Sequence, residues 1–224
     1  MIRRIGVVIP ARDEEERIGR CLASVVEAAA AVALPVDITV VADGCLDRTV
    51  AVARSFRGVR VLEIESSNVG AARAAGARAV LAHGADWIAN TDADSTVPQN
   101  WLAVQLALAE LGHDLVVGTV RPDFAELSDE QVAAWRAGHV AGEPNGHVHG
   151  ANLGVRASAF LAVGGYRELP EHEDADLVAR LAGARIVASD AAEVVTSGRS
   201  IGRTPGGYAR YLREDLLRSV VLPT

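Results

Sequence analysis

Short runs of β-branched residues alternate along this chain with longer Ala- and Leu-rich segments at helical spacing, and few architectures accept that alternation. Residues 5–9, 37–41, 59–64, 87–90 and 115–120 read as strands. Residues 14–31, 47–54, 71–82 and 98–111 read as helices between them, the last with Pro98 in its first turn, where no N–H is needed. The first four strands are apolar at nearly every position, as expected when helices cover both faces of a sheet. A repeated βαβα order implies a mostly parallel, Rossmann-like α/β sheet with right-handed crossovers. After Val120 the pattern loosens. Ser128 suits the cap of a helical run over 130–140, and 143–150 is a Gly-, Pro- and His-rich loop. Strands are expected at 152–156 and 186–188, and helices at 158–163, 174–181 and 206–220. No repeat or long linker divides the 224 residues, so 1–224 reads as a single domain with a regular half, 1–120, and a looser half, 121–224.

Composition excludes several chemistries. All 22 basic residues are arginine, which rules out a lysine Schiff base, a Walker-type phosphate-loop lysine and a kinase lysine. The net charge of −7 argues against a nucleic-acid partner. Cys21 and Cys45 are too few for a disulfide scaffold or a structural zinc site, and both read as free thiols. The apolar start is too short for a signal peptide. The most apolar stretch, 25–36, contains Glu27 and Pro35 and is too short for a transmembrane segment. The expectation is a cytoplasmic protein of GC-rich, bacterial type, with peripheral docking at the inner membrane face left open and a homodimer not excluded.

In open α/β sheets ligands bind beyond the carboxyl ends of the strands. The first strand is followed there by Pro10-Ala11-Arg12-Asp13-Glu14, and the second by Ala42-Asp43-Gly44-Cys45-Leu46-Asp47. The third is followed by Ser66-Ser67-Asn68-Val69-Gly70, and the fourth by Thr91-Asp92-Ala93-Asp94-Ser95. Together they describe a polar crevice. Asp92-Ala93-Asp94 is the strongest local signal, because two carboxylates at a strand end can hold a hard cation such as Mg²⁺ or Mn²⁺. The plain alternative is that Asp94 or Ser95 caps the next helix, and that Asp43-Gly44 forms a turn with Asp47 capping the helix after it. The glycine-rich dinucleotide fingerprint is missing after the first strand.

Residues 7–14 resemble the opening strand and acidic turn of family 2 glycosyltransferases, which have the GT-A fold. Val40-Val41-Ala42-Asp43-Gly44-Cys45-Leu46-Asp47-Arg48-Thr49 resembles that family's V-D-D-G-S-x-D-x-T segment, with Ala42 and Cys45 as departures. Asn68-Val69-Gly70 and Ala72-Arg73-Ala74-Ala75-Gly76 resemble its N-x-G and A-R-N-x-G segments, Asp92-Ala93-Asp94 its D-x-D motif, and Glu173-Asp174-Ala175-Asp176-Leu177 its E-D-x-D-L motif. The matches run in the family's order over residues 5–181. The resemblance implies sugar transfer from a UDP- or GDP-linked donor to a hydroxyl of a small-molecule or lipid-linked acceptor. Residues 1–120 would then form the nucleotide-binding half and 121–224 the acceptor-binding half. Pro10, Ala11, Glu14, Asp43, Arg73 and Asp92 would bind the nucleotide-sugar, and Asp94 with Asp92 the metal. Asp174, beside Glu173, would be the general base, and inversion would follow. The nearest rival is a nucleotidyltransferase, but the loop after the first strand has no glycine before Gly19. A non-catalytic sugar-nucleotide binder is the other.

Three features of the second half add candidates. His147 and His149, two apart in an extended loop, point the same way, with Gly146 and Gly150 allowing close approach. His149 is a candidate metal ligand or acceptor contact, with Asn152 as an acceptor contact. Glu171, Glu173, Asp174 and Asp176 crowd a helix start, where the dipole favours anions and most of them need be no more than solvated. Arg199, Arg203, Arg210 and Arg213 follow one another with no intervening acid. Arg199 and Arg203 are the candidate diphosphate clamp. The same stretch is also compatible with a solvated loop or a membrane-surface helix.

Overall fold

The computed structural model describes residues 1–140, 147–204 and 206–221. Among these, β1 (Ile5–Ala11), β2 (Val36–Asp43), β3 (Val59–Ile64), β4 (Trp87–Asn90), β5 (Leu115–Pro122), β6 (Leu153–Arg156) and β7 (Ile186–Thr196) form one sheet. The spatial order is β3-β2-β1-β4-β6-β5-β7. Pairing is parallel except at β6, which runs antiparallel to β4 and β5. The helices are α1 (Ile18–Ala30), α2 (Thr49–Arg54), α3 (Val69–Ala82), α4 (Trp101–Glu110), α5 (Asp129–Ala137), α6 (Ala157–Ala162), α7 (Glu173–Arg180), α8 (Tyr208–Arg210) and α9 (Leu216–Val221).

Successive side chains of β1 take opposite faces, as a strand requires. Ile5, Val7 and Ile9 join Ile18, Leu22 and Val25 of α1 and Trp101 and Leu102 of α4. Val8 joins Ala74, Ala77 and Val80 of α3 and Leu177 of α7 on the other side. Two glycines let α3 lie against the sheet. A Cβ on Gly6 would sit 2.3 Å from Val80 Cβ, and one on Gly76 would sit 2.5 Å from Val8 Cγ1. A separate cluster joins Ala134 and Trp135 of α5 to Leu212 and Leu216 near the C-terminus.

Several elements differ from the sequence reading. β3 is an edge strand, with Arg60 and Glu63 exposed, so it is not covered on both faces. β7 runs eleven residues rather than three, because Ser189 and Asp190 continue an edge strand instead of turning. The β5–β7 register shifts between Gly118, opposite Ser189, and Val120, opposite Val194. α4 starts at Trp101, after a turn in which Pro98 accepts the Trp101 N–H. The last helix is broken by a π-turn over Tyr211–Asp215. Ser128 caps α5 in a reciprocal pair with Gln131, as its position suggests. Among the described residues, no helix is long and apolar enough to cross a membrane.

Candidate functional site

At β1 the strand order reverses, with β2 on one side and β4 on the other. This switch point is where an open α/β sheet leaves a crevice. The crevice here has a volume of about 550 Å³, and Pro10, Ala11, Glu14, Asp43, Arg73, Asp92, Asp94, His149, Glu173, Asp174, Arg199 and Arg203 all contribute to its walls. Of the candidates, Asn152 stands apart. Its amide is buried and committed: it accepts from Trp101 Nε1 at 2.9 Å and donates to the carbonyls of Thr119 and Ala192. Asn152 therefore locks β5, β7 and α4 together instead of meeting an acceptor.

Asp43 organises the wall that it belongs to. Its carboxylate accepts the N–H groups of Ser66, Ser67 and Asn68 at 2.7–2.8 Å and the Ser66 hydroxyl at 3.1 Å. Burial alone would raise its pKa, but these donors outweigh it and hold the carboxyl below the usual range. Asn68, thus placed, caps α3 by accepting from Ala71 N–H at 2.9 Å. Asp47 keeps its plain role, accepting the Thr49 N–H at the start of α2. The non-glycine residues with positive φ are Asp13 (51°), Ser67 (51°) and His172 (61°) among the described residues. Ser67 and His172 line the crevice, and Asp13 lines a smaller pocket that shares Glu14 and Arg203 with it. Strained backbone is thus concentrated at the site.

The D-x-D carboxylates meet different arginines. Asp92 pairs with Arg73 NH2 at 2.5 Å, and Arg73 Nε pairs with Glu173 at 2.8 Å. Arg73 is 2% exposed and sealed under Gly150, whose Cβ, if present, would lie 2.3 Å from the guanidinium. Burial opposes its charge, but Asp92 and Glu173 win and keep it protonated. Arg73 thus lines the crevice from behind as the tie between α3, the loop after β4 and α7. Glu173 is the other end of that tie. Burial pushes the Glu173 carboxyl up, and Arg73 opposes this.

Asp94 does not cap α4. Its side chain, 14% exposed, faces Arg199 NH2 at 2.8 Å and Thr196 Oγ1 at 3.4 Å. Burial first, then the Asp92 charge, push its pKa up to about 6. Glu14 joins from the β1 side, with Oε1 accepting from Arg199 at 2.7 Å and from Arg203 at 3.4 Å. Its other oxygen is buried with no partner. This oxygen-only set, including one orphaned carboxylate oxygen, suits a hard divalent cation completed by phosphate and water. His149 does not complete that set. Among the described residues, the ligand-spaced group of three is Asp13, Cys45 and Asp47, not Asp92, Asp94 and His149. The His149 ring packs edge-on against Tyr208 at 5.4 Å, and burial keeps it neutral. The Asp13 and Asp47 carboxylates are spent on the N–H groups of Leu46, Glu15 and Thr49, which ties the two loops together.

Of the acidic cluster, Glu171, Glu173 and Asp174 line the crevice, and Asp174, unlike Glu173 and Asp176, pairs with no arginine among the described residues. Glu171 accepts the Gly206 N–H at 2.7 Å, and Asp176 pairs with Arg180 and Arg167. Asp174 Oδ2 accepts the Gly150 N–H at 2.6 Å and Oδ1 accepts the Ala175 N–H at 2.7 Å, which fixes its orientation. Gly146 lies outside the described residues. Sequence reasoning missed the aromatic end of the crevice. Tyr208, Tyr211 and His139 line it, and His139 stacks on Trp135 at 3.5 Å rather than lying free on the surface. Sparse aromatics gathered near the second-half loops were the available signal.

Known proteins share this fold. Residues 6–160 match the model of Glycosyl transferase family 2. The 4,4'-diaponeurosporenoate glycosyltransferase of Staphylococcus aureus (strain MRSA252) is 40% identical over 62 residues, 28% of this chain and 15% of that one. S. aureus TarS 1-349 in complex with UDP-GlcNAc superposes with a TM-score of 0.69 at 15% identity, over 92% of this chain and 61% of that one. Mannosyltransferase PcManGT from Pyrobaculum calidifontis, in complex with GDP-Man and Mn2+, superposes with a TM-score of 0.68 at 20% identity, over 100% of this chain and 65% of that one. The chain thus spans 15% of the curated relative and under two thirds of these solved chains. The GT-A fold is shared, and the matched segment carries every motif from the β1 turn to the D-x-D pair, so the chain belongs to glycosyl transferase family 2.

Proposed function

We propose that this chain transfers a sugar from a nucleoside-diphosphate sugar to an acceptor hydroxyl, with a divalent ion and with inversion at the anomeric carbon. The observation that carries the reading is the convergence, in one crevice, of the Asp92–Asp94 pair and an oriented Asp174. Asp94, with Asp92 beside it, would hold Mn²⁺ or Mg²⁺, which when bound neutralises charge developing on the departing diphosphate. Arg199 and Arg203 supply further positive charge on that side. Asp174 accepts the proton of the acceptor hydroxyl as its oxygen attacks the anomeric carbon and the diphosphate leaves. One direct displacement gives inversion. The Gly150 N–H holds Oδ2 in place for that proton transfer. UDP-GlcNAc in TarS and GDP-Man with Mn2+ in PcManGT support a donor of this class.

Calorimetric titration with UDP and with GDP, with and without Mn²⁺, tests the reading. Metal-dependent binding of at least one is expected, and Asp94→Ala abolishes it. Asp174→Asn keeps donor binding and lowers transfer by about 10²–10⁴-fold. Failure of both nucleotides to bind, with or without metal, overturns it.

A further inference from the structure

Arg199 grips two carboxylates from the loops after the neighbouring strands β1 and β4, Glu14 Oε1 through NH1 at 2.7 Å and Asp94 Oδ2 through NH2 at 2.8 Å. The guanidinium fork is matched to such a pair, and it cannot leave by losing its proton. Its place is built into the fold. Arg199 N–H donates to Ser197 Oγ at 3.2 Å, and Arg213 holds the Ser200 carbonyl at 2.7 Å. Gly198 lies so close to the Asp123 carbonyl that a Cβ would sit 2.8 Å from it. Glu14, 5% exposed, keeps its second oxygen buried and unpartnered beside this bridge.

We infer that Arg199 is the resident counter-cation of the Glu14–Asp94 pair and competes with a divalent ion for Asp94, so that the ion binds well only when a nucleoside diphosphate draws Arg199 away. The inference rests on the metal reading above. A guanidinium and a divalent ion on one carboxylate repel each other at short range in a poorly solvated crevice. Diphosphate oxygens offer the arginine a charge-assisted alternative. Ion and nucleotide then favour each other, and by linkage the coupling is reciprocal. Arg199 would set the order of loading in addition to contacting the donor.

The test is titration of Mn²⁺ into the protein without nucleotide, read by the paramagnetic resonance signal of the free ion, then repeated with UDP and with GDP. Arg199→Gln is expected to bind Mn²⁺ at least tenfold more tightly than the unaltered protein when nucleotide is absent. Arg199→Lys keeps the charge but reaches a single carboxylate, and should fall between the two. Arg210→Gln removes an equal charge that is paired with Glu214, and should stay within about twofold of the unaltered protein. Nucleotide should tighten Mn²⁺ binding more in the unaltered protein than in Arg199→Gln. If Mn²⁺ binds together with nucleotide but neither Arg199 variant gains affinity without it, this inference fails and the metal reading stands. If no protein binds Mn²⁺, with or without nucleotide, the metal reading fails and takes this inference with it.

Discussion

Asp94 is the side chain whose ionisation the crevice alters most legibly. Burial and the neighbouring Asp92 charge push its pKa up to about 6, above the usual carboxylate range. Below that value the carboxyl carries a proton and cannot bind metal, so Mn²⁺ affinity should fall about tenfold per pH unit below 6. The same shift bears on stability. A carboxyl raised on folding favours the folded state fully below its unfolded pKa, and that contribution is lost as pH rises through about 6. In the metal-free protein Asp94 therefore contributes a loss of stability between pH 4 and pH 7, and Asp94→Asn should remove this component from the pH dependence of the melting temperature. Arg73 presents the opposite case, a buried charge that two anions keep. Arg73→Met leaves Asp92 and Glu173 uncompensated and should cost about 3–5 kcal/mol in urea denaturation. Combining it with Glu173→Gln should cost less than the sum of the separate changes, because the two residues share one interaction.

At the scale of elements, the position of α3 decides where Asn68 and Arg73 stand. Gly6→Ala forces a Cβ onto Val80 and pushes that helix off the sheet. About 1–3 kcal/mol of destabilisation is expected by urea denaturation. The order and places of the regular elements in the first half were legible because β1, β2 and β4 are largely buried on both faces, but β1 and β2 run on to Ala11 and Asp43, and α1 starts only at Ile18. β7 was read short for the opposite reason. It is an edge strand, where polar residues cost nothing and resemble a turn. The final helix carried its period, but not the π-turn over Tyr211–Asp215.

For the whole molecule, the separation of the small cluster of α5 and the C-terminal helix from the two main cores matters most. Segments with few buried apolar partners open more readily than core strands. Hydrogen exchange should show α5 and the 208–221 segment exchanging together and faster than β1 and α3. Leu212→Ala should speed both while leaving β1 unchanged. If β1 accelerates equally, this cluster is not an independent unit.

The sequence by itself determined the alternation of strands and helices, and with it the sheet edge to which Glu14, Asp43, Asn68, Asp92 and Asp94 are delivered. Strand ends and their loops are local features, so period and turn chemistry suffice to place them. Which carboxylates stay available was decided only by tertiary structure. Glu173 and Asp174 are neighbours in sequence, yet one is committed to Arg73 and the other turns to the crevice. Arg199 reads as a loop cation until the end of β7 brings it onto Glu14 and Asp94. Asn152 reads as a ligand contact until the buried amide is seen to fill its hydrogen bonds within the core. Each outcome depends on partners 24 to 185 residues away, and charge pairing and desolvation at that separation leave no local trace.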